Sequence, residues 1–271
     1  MSGRERSQTV SVGGVSSIAG DDRGVSDVVG YILVFSLITI TIGTVFAVGI
    51  TGVEDRREAE RVANVERAFD VLDDNLRDVQ RYGDPNRATE IRLAGGTLST
   101  SAESRFVLAN TSNASEVDNR TLDAWTSKTI VYQEDDTTIA YDAGALVRGD
   151  GDGSVMLSEP RFVAANGRTT IPIVALVRGD GEESVAGDGT VQITAVEGVT
   201  TESETTRFDA SGDLYLWVET DQPDAWASYF NRTDGFQNEV SAGTDSVAVA
   251  KLEHDDEVYV REVVRLIGLQ R

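Results

Sequence analysis

The stretch "DDRGVSDVVGYILVFSLITITIGTVFAVGI" (Asp21–Ile50) decides how the rest of the chain is read. A short polar tail ends at Arg23-Gly24, and an apolar run starts almost at once with one acid, Asp27, at its edge. From Val28 to Val53 no residue is charged. That run exceeds the ~20 residues needed to cross a hydrocarbon core about 30 Å thick. Buried helices of soluble domains are rarely so long and so uniformly apolar. The apolar part of a secretory signal spans only about 7–15 residues, and no A-x-A-like cleavage site follows this one. The run reads as a helix inserted in a membrane.

The pattern continues past the apolar run. Val62, Val65, Phe69, Leu72, Leu76 and Val79 recur at alternating spacings of three and four, a heptad seam on one helix face. Glu58, Glu60, Arg61, Arg67, Asp70, Asp73 and Arg77 lie off the seam. No Gly or Pro intervenes between Val53 and Arg81, and "YGDPNR" (Tyr82–Arg87) then supplies a Gly83 stop with Pro85 behind it. One helix is expected from about Val28 to Tyr82, ~80 Å long at 1.5 Å per residue. Its first half is apolar all round and its second half is amphipathic.

From Glu90 the texture changes to short β-branched and aromatic runs separated by Gly, Asp, Asn and Ser. Strands are expected at 90–93, 105–109, 129–133, 138–141, 145–148, 154–157, 161–165, 170–178, 190–196, 205–209, 213–219, 246–252 and 257–266. "DQPDAWASYFNRT" (Asp221–Thr233) places Ala225, Trp226, Tyr229 and Phe230 at helical spacing behind Pro223. "ALVRGDG" occurs at Ala145–Gly151 and again at Ala175–Gly181, as two similar hairpin corners of one sheet would. The fold class is α+β: a long apolar-then-amphipathic helix followed by a β-rich head. The expected division is a leader at 1–24, the helix at 25–82 and the head at 88–271.

Composition narrows the functional classes. The chain carries 46 acids against 24 bases, a net charge of −22, and only Lys128 and Lys251 are lysines. Such acidity argues against a nucleic-acid partner, whose phosphates need basic patches. With no cysteine, thiol catalysis, disulfides and Cys-ligated metals are excluded. His254 is the only histidine, so no His-based triad or zinc cluster can be assembled around it. No Gly-rich nucleotide loop follows a strand. Asp150 and Asp152 in "RGDGDGS" (Arg148–Ser154) lack the Gly and bidentate Glu of a calcium loop and read better as an acidic hairpin turn. Trp125, Trp217 and Trp226 fit core or interface positions better than a sugar platform. Neither a cofactor nor an enzymatic activity is expected.

The start of the apolar run carries a resemblance. Arg23-Gly24 directly precedes Val25-Ser26-Asp27-Val28-Val29-Gly30 and a helix with no spacer. This resembles the class III signal peptide of archaeal type IV pilins and flagellins, above all haloarchaeal pilin-like proteins. Asp27 stands where that family often has Pro, and Val29 where it has Ile. The acid-rich, lysine-poor composition also resembles that of proteins from salt-loving archaea, where a dense acid shell keeps a folded surface hydrated. The resemblance implies cleavage by a membrane prepilin peptidase between Gly24 and Val25, leaving the apolar helix on the mature chain. It implies a single-pass membrane protein with an extracellular head, and partner subunits that meet it through the helix. Gly30, Gly43, Ala47, Gly49 and Gly52 would permit close helix approach, although Gly is also common in membrane helices. Asp27 would be the third mature residue, either paired with a neighbour's new amine or wet at the headgroup boundary. Asn110, Asn113, Asn119 and Asn231 each head an Asn-x-Ser/Thr sequon and are glycosylation candidates if the head is extracellular. The expected function is a pilin-like structural or adhesion subunit of the cell surface, a minor one because the head is large for a major pilin; the alternative is an anchored binding module that does not polymerise.

Overall fold

The computed structural model describes residues 22–82, 86–151, 153–197, 204–209, 212–239, 246–253 and 257–271. The Gly83–Pro85 stop, Asp152 and His254 lie outside the described residues. In chain order the elements are α1 (Asp22–Tyr82), β1 (Asn86–Ser99), β2 (Glu103–Ala109), α2 (Val117–Arg120), β3 (Thr121–Lys128), β4 (Ile130–Glu134), β5 (Thr137–Asp142), β6 (Ala145–Asp150), β7 (Gly153–Ser158) and β8 (Val163–Ala165). Then follow β9 (Arg168–Arg178), β10 (Ser184–Glu197), β11 (Glu204–Asp209), β12 (Tyr215–Glu219), α3 (Pro223–Arg232), β13 (Phe236–Glu239), β14 (Val247–Leu252) and β15 (Glu257–Gln270). The chain divides into two compact units between Glu58 and Ala59.

The first unit contains the apolar part of α1. Ser26–Ile50 is long and apolar enough to cross a membrane. Its large side chains, from Val28 through Tyr31, Phe35, Ile42 and Phe46 to Ile50, are all exposed. Its threonine side chains are satisfied locally. Thr39, Thr41 and Thr44 donate their hydroxyls to the carbonyls of Phe35, Leu37 and Ile40 at 2.8, 2.7 and 2.9 Å. A threonine bonded in this way leaves no donor seeking water, which suits an apolar solvent. The helix begins at Asp22, earlier than the expected Val28, so Arg23 and Gly24 are helical.

The second unit is layered. A ten-stranded sheet runs β7-β6-β5-β4-β1-β10-β15-β9-β8, and β11 pairs with the N-terminal half of β15. One face receives the amphipathic half of α1. The other meets a five-stranded sheet, β13-β14-β12-β2-β3, together with α3. The expected seam is the contact: Val62, Val65, Phe69, Leu72 and Leu76 pack on Ile91, Leu93, Tyr132, Ile139 and Ile193. Between the sheets, Phe106, Leu216 and Val218 meet Val147, Ile171, Ile173 and Val260. Here α3 inserts Trp226, Tyr229 and Phe230.

Asp73 lies off the seam as expected, yet it is buried beside it and paired with Arg77 at 3.0 Å, whose guanidinium also donates to Ser158 Oγ and to the Glu159 carbonyl. Burial pushes the Asp73 carboxyl up, and Ser158 and Arg77 pull it back. The second "ALVRGDG" is no hairpin corner. After β9 the chain crosses to β10, and β15 lies between the two, whereas β6 and β7 form a true hairpin. β1 is longer than expected because a bulge between Ala94 and Thr97 carries it around a bend. Gly96 is needed there: its φ is +66°, and a Cβ would lie 2.7 Å from the Gln133 carbonyl oxygen.

Candidate functional site

Three groups of residues bear on function. Arg23, Gly24 and Val25 fall in the first turn of α1, and Asp27 stands exposed a turn later. Asn110, Asn113, Asn119 and Asn231 are all exposed. The first three sit on one loop that covers the outer face of the five-stranded sheet. Ala114 and Val117 of this loop pack on Val107, Ala109, Trp217 and Val249. The Trp217 indole N–H donates to the Thr111 carbonyl at 2.9 Å. Buried apolar anchors therefore hold the loop down while its asparagines face outward.

The third group was not foreseen from the sequence. Where the start of β2 and the end of β12 meet β4 and β5, the seam between the sheets opens into a cavity of about 230 Å³. Ser99, Ser101, Ser104, Thr129, Thr138 and Thr220 contribute hydroxyls to its lining, Gln133 and Gln222 amides, and Asp142 and Asp221 carboxyls. No Lys, Arg or His is among the lining residues.

Asp142 is the buried member, 1% exposed, at the end of β5. Its Oδ2 accepts from Thr220 Oγ1 at 3.0 Å and from the Trp226 indole at 3.1 Å. No hydrogen bond of ordinary geometry reaches its Oδ1, although the Ser104 hydroxyl lies close enough to stabilise the carboxylate. Ser104 and Thr129 bring their hydroxyls within 3.4 Å of each other at the cavity wall. Gln222 closes the far side, donating Nε2–H to Thr138 Oγ1 at 3.3 Å, and it packs so closely on Gly149 that a Cβ there would lie 2.8 Å from its Oε1. The β12–α3 turn of one sheet is thus stitched to β5 and β6 of the other.

Burial pushes the Asp142 carboxyl above its usual range; the Ser104 hydroxyl, the Trp226 indole and the Thr220 hydroxyl pull it back, and Asp221 pushes it further up. A folded chain that binds this proton more tightly than the unfolded chain is stabilised at low pH. That contribution is fully present below the free-Asp value of 3.8 and is lost as pH rises through the folded value. With only a bulky organic cation in the buffer, Asp142→Asn should therefore gain stability relative to the native chain as pH rises from about 4 towards neutrality. Chemical denaturation at a series of pH values checks this, and parallel curves would contradict the burial argument.

Other polar candidates are already engaged. Asp150 pairs with Arg148 at 2.9 Å and accepts from Thr137 Oγ1 at 3.0 Å, and Arg148 also reaches Glu66. Among the described residues no group of three or more His, Cys, Asp or Glu side chains is placed to hold a metal ion. Trp125, Trp217 and Trp226 are all in the cores.

A protein-family model described as "Family of unknown function (DUF7289)" matches residues 23–266, from the first turn of α1 into β15. The chain belongs to this family. The DUF7289 match takes in the apolar helix, the amphipathic helix and both sheets together. The chain is also 25% identical over 262 residues to an uncharacterized protein of Archaeoglobus fulgidus, covering 78% of this chain and 84% of that one. No solved structure matches.

Proposed function

We propose that this DUF7289 protein is a membrane-anchored, pilin-like subunit of an archaeal cell surface, structural rather than catalytic. The observation that carries the reading is the Ser26–Ile50 helix, exposed along its whole length, with its threonines bonded internally and Arg23-Gly24 directly before it. Such a surface needs either lipid or other apolar helices around it. In this reading the membrane prepilin peptidase cuts between Gly24 and Val25. The exposed sequons and the net charge of −22 support an extracellular, salt-rich setting for the sheets. The large head favours a minor subunit over a major one.

N-terminal sequencing of the protein from native cells tests this directly. The expected mature chain starts at Val25, and Gly24→Phe should leave the precursor uncut, a complete loss of the mature form. A mature start elsewhere would overturn pilin-type processing. Recovery in sheared filaments supports the subunit; recovery of the Val25 form in membranes alone supports a second reading, an anchored binding module that does not polymerise. The cavity at Asp142 is the feature that favours the second.

A further inference from the structure

The seam cavity poses a charge problem. A carboxylate taken out of water is costly unless a cation or a metal compensates it. Asp142 is 1% exposed, Thr220 and Trp226 donate to the same oxygen, Oδ2, and these two and the Ser104 hydroxyl that also stabilises the carboxylate are all neutral. No hydrogen bond of ordinary geometry reaches its Oδ1, and the cavity lining carries no cationic side chain to compensate the charge. A second carboxyl, Asp221, lies at the exposed rim. The lining is otherwise rich in hydroxyl and amide oxygens, the donor set of hard cations. An anion would meet two carboxyls and no base. An aromatic or apolar ligand would find no ring to stack on, since Ala102, Val131 and Ala140 supply the only hydrocarbon side chains among the lining residues.

We propose that this cavity binds a single monovalent metal cation, Na⁺ or K⁺, through Asp142 and the hydroxyl oxygens of Ser104, Thr129 and Thr220. The charge match selects the valence. One buried carboxylate neutralises one positive charge, whereas a divalent ion would remain uncompensated in the interior unless the rim carboxyl moved inward. The volume of about 230 Å³ exceeds a bare ion and leaves room for part of its hydration shell, with the Ser99, Ser101 and Gln133 side chains as partners for those waters. The groups that surround the ion span the two sheets: Ser104 on β2 and Thr220 just after β12 belong to the five-stranded side, Asp142 ends β5 of the ten-stranded sheet, and Thr129 is the residue that links β3 of one to β4 of the other. Occupation would therefore tighten the contact between the sheets. Because the ion binds the folded chain and not the unfolded one, it raises stability by mass action.

The test uses the full chain in detergent micelles, with thermal unfolding followed by tryptophan fluorescence. NaCl, KCl and choline chloride are compared at constant ionic strength, so that screening of the acidic surface is equal in all three. The expected result is a saturable rise of Tm in Na⁺ or K⁺ over choline, about 5–10 °C at a hundredfold excess over Kd. The arm with the lower half-saturating concentration identifies the ion. Asp142→Asn, close in shape but uncharged, should lose the rise. Ser104→Ala should shift half-saturation several-fold higher, and it provides the readout if the Asn variant does not fold. Equal Tm in all three salts would overturn the proposal, as would an undiminished response in Asp142→Asn. A response to CaCl₂ with none to Na⁺ or K⁺ would overturn the charge match on which the assignment rests.

Discussion

Replacing Trp226 with Ala should destabilise the head by roughly 3–5 kcal/mol, the range for removing a large aromatic side chain from a packed core. Trp226 is fully buried on α3 and lies against Phe106 at 5.4 Å, edge to face, and against Phe162 and Phe230 at 5.9 Å. Those rings in turn meet Tyr229 and Phe236, so the cavity left behind could collapse only by disturbing a connected aromatic cluster. A second cost is added to the lost packing. The indole N–H is one of two donors to Asp142 Oδ2, and without it that oxygen keeps only the Thr220 hydroxyl. Trp226→Phe separates the two costs: it retains most of the ring contact and removes the donor, for an expected loss of about 1–3 kcal/mol. Urea denaturation of the full chain in detergent, with both variants beside the native protein, checks the order. If Phe cost as much as Ala, the hydrogen bond rather than the aromatic packing would dominate.

The two longer helices, α1 and α3, were legible for different reasons. The first half of α1 is written in composition alone, since Val28–Val53 has no charge to place. The second half is written in period, and the six seam positions from Val62 to Val79 are all buried. Period says nothing about how deeply the flanks of the seam are buried, and Asp73, off the seam, is buried with Arg77 and Ser158 beside it. α3 shows the same logic at short range, with Pro223 at its first position and its four buried residues, Ala225, Trp226, Tyr229 and Phe230, on one face. Strands were legible where β-branched residues cluster. β3, "TLDAWTSK", and β13, "FQNE", were missed because each presents mostly polar residues and owes its extended form to neighbours already in the sheet.

The cavity was illegible because it belongs to no local pattern. Ser104, Thr129, Asp142 and Thr220 come from separate stretches and converge only when the two sheets meet. Asp142 also sits where a polar residue arouses no suspicion, just before the Ala143-Gly144 turn between β5 and β6, both of whose residues have positive φ. The one available signal was its company: an acid followed by the apolar run Ala143–Val147 and preceded by Ile139, Ala140 and Tyr141. Turn chemistry explained that acid well enough to hide it. The sequons were readable as motifs, but the placement of Asn110, Asn113 and Asn119 depends on Ala114, Val117 and Trp217 anchoring their loop, which only the packing reveals.

Phe69→Ala should be the most damaging single truncation on α1, at roughly 3–5 kcal/mol and a fall in Tm on the order of 10 °C. Phe69 is fully buried in the middle of the seam, with Val65 and Leu72 on either side of it and the inner face of the ten-stranded sheet opposite. Residues from β1, β4, β5, β9, β10 and β15 share that core, so a void at Phe69 has no single flexible neighbour to fill it. Asp70 follows immediately and is exposed, and Asp70→Ala should change stability by no more than about 0.5 kcal/mol. The contrast between adjacent positions tests helix docking rather than helix formation, because Ala favours the helix at either site. A small effect of both variants would mean that the sheet does not depend on the helix for its core. A large effect at Phe69 alone means that the sheet face bearing Ile91, Leu93 and Ile193 is stable only when covered. A head separated from residues 59–82 would then expose that apolar face and associate through it, so α1 serves the fold of the sheets as well as any membrane or filament that receives its first half.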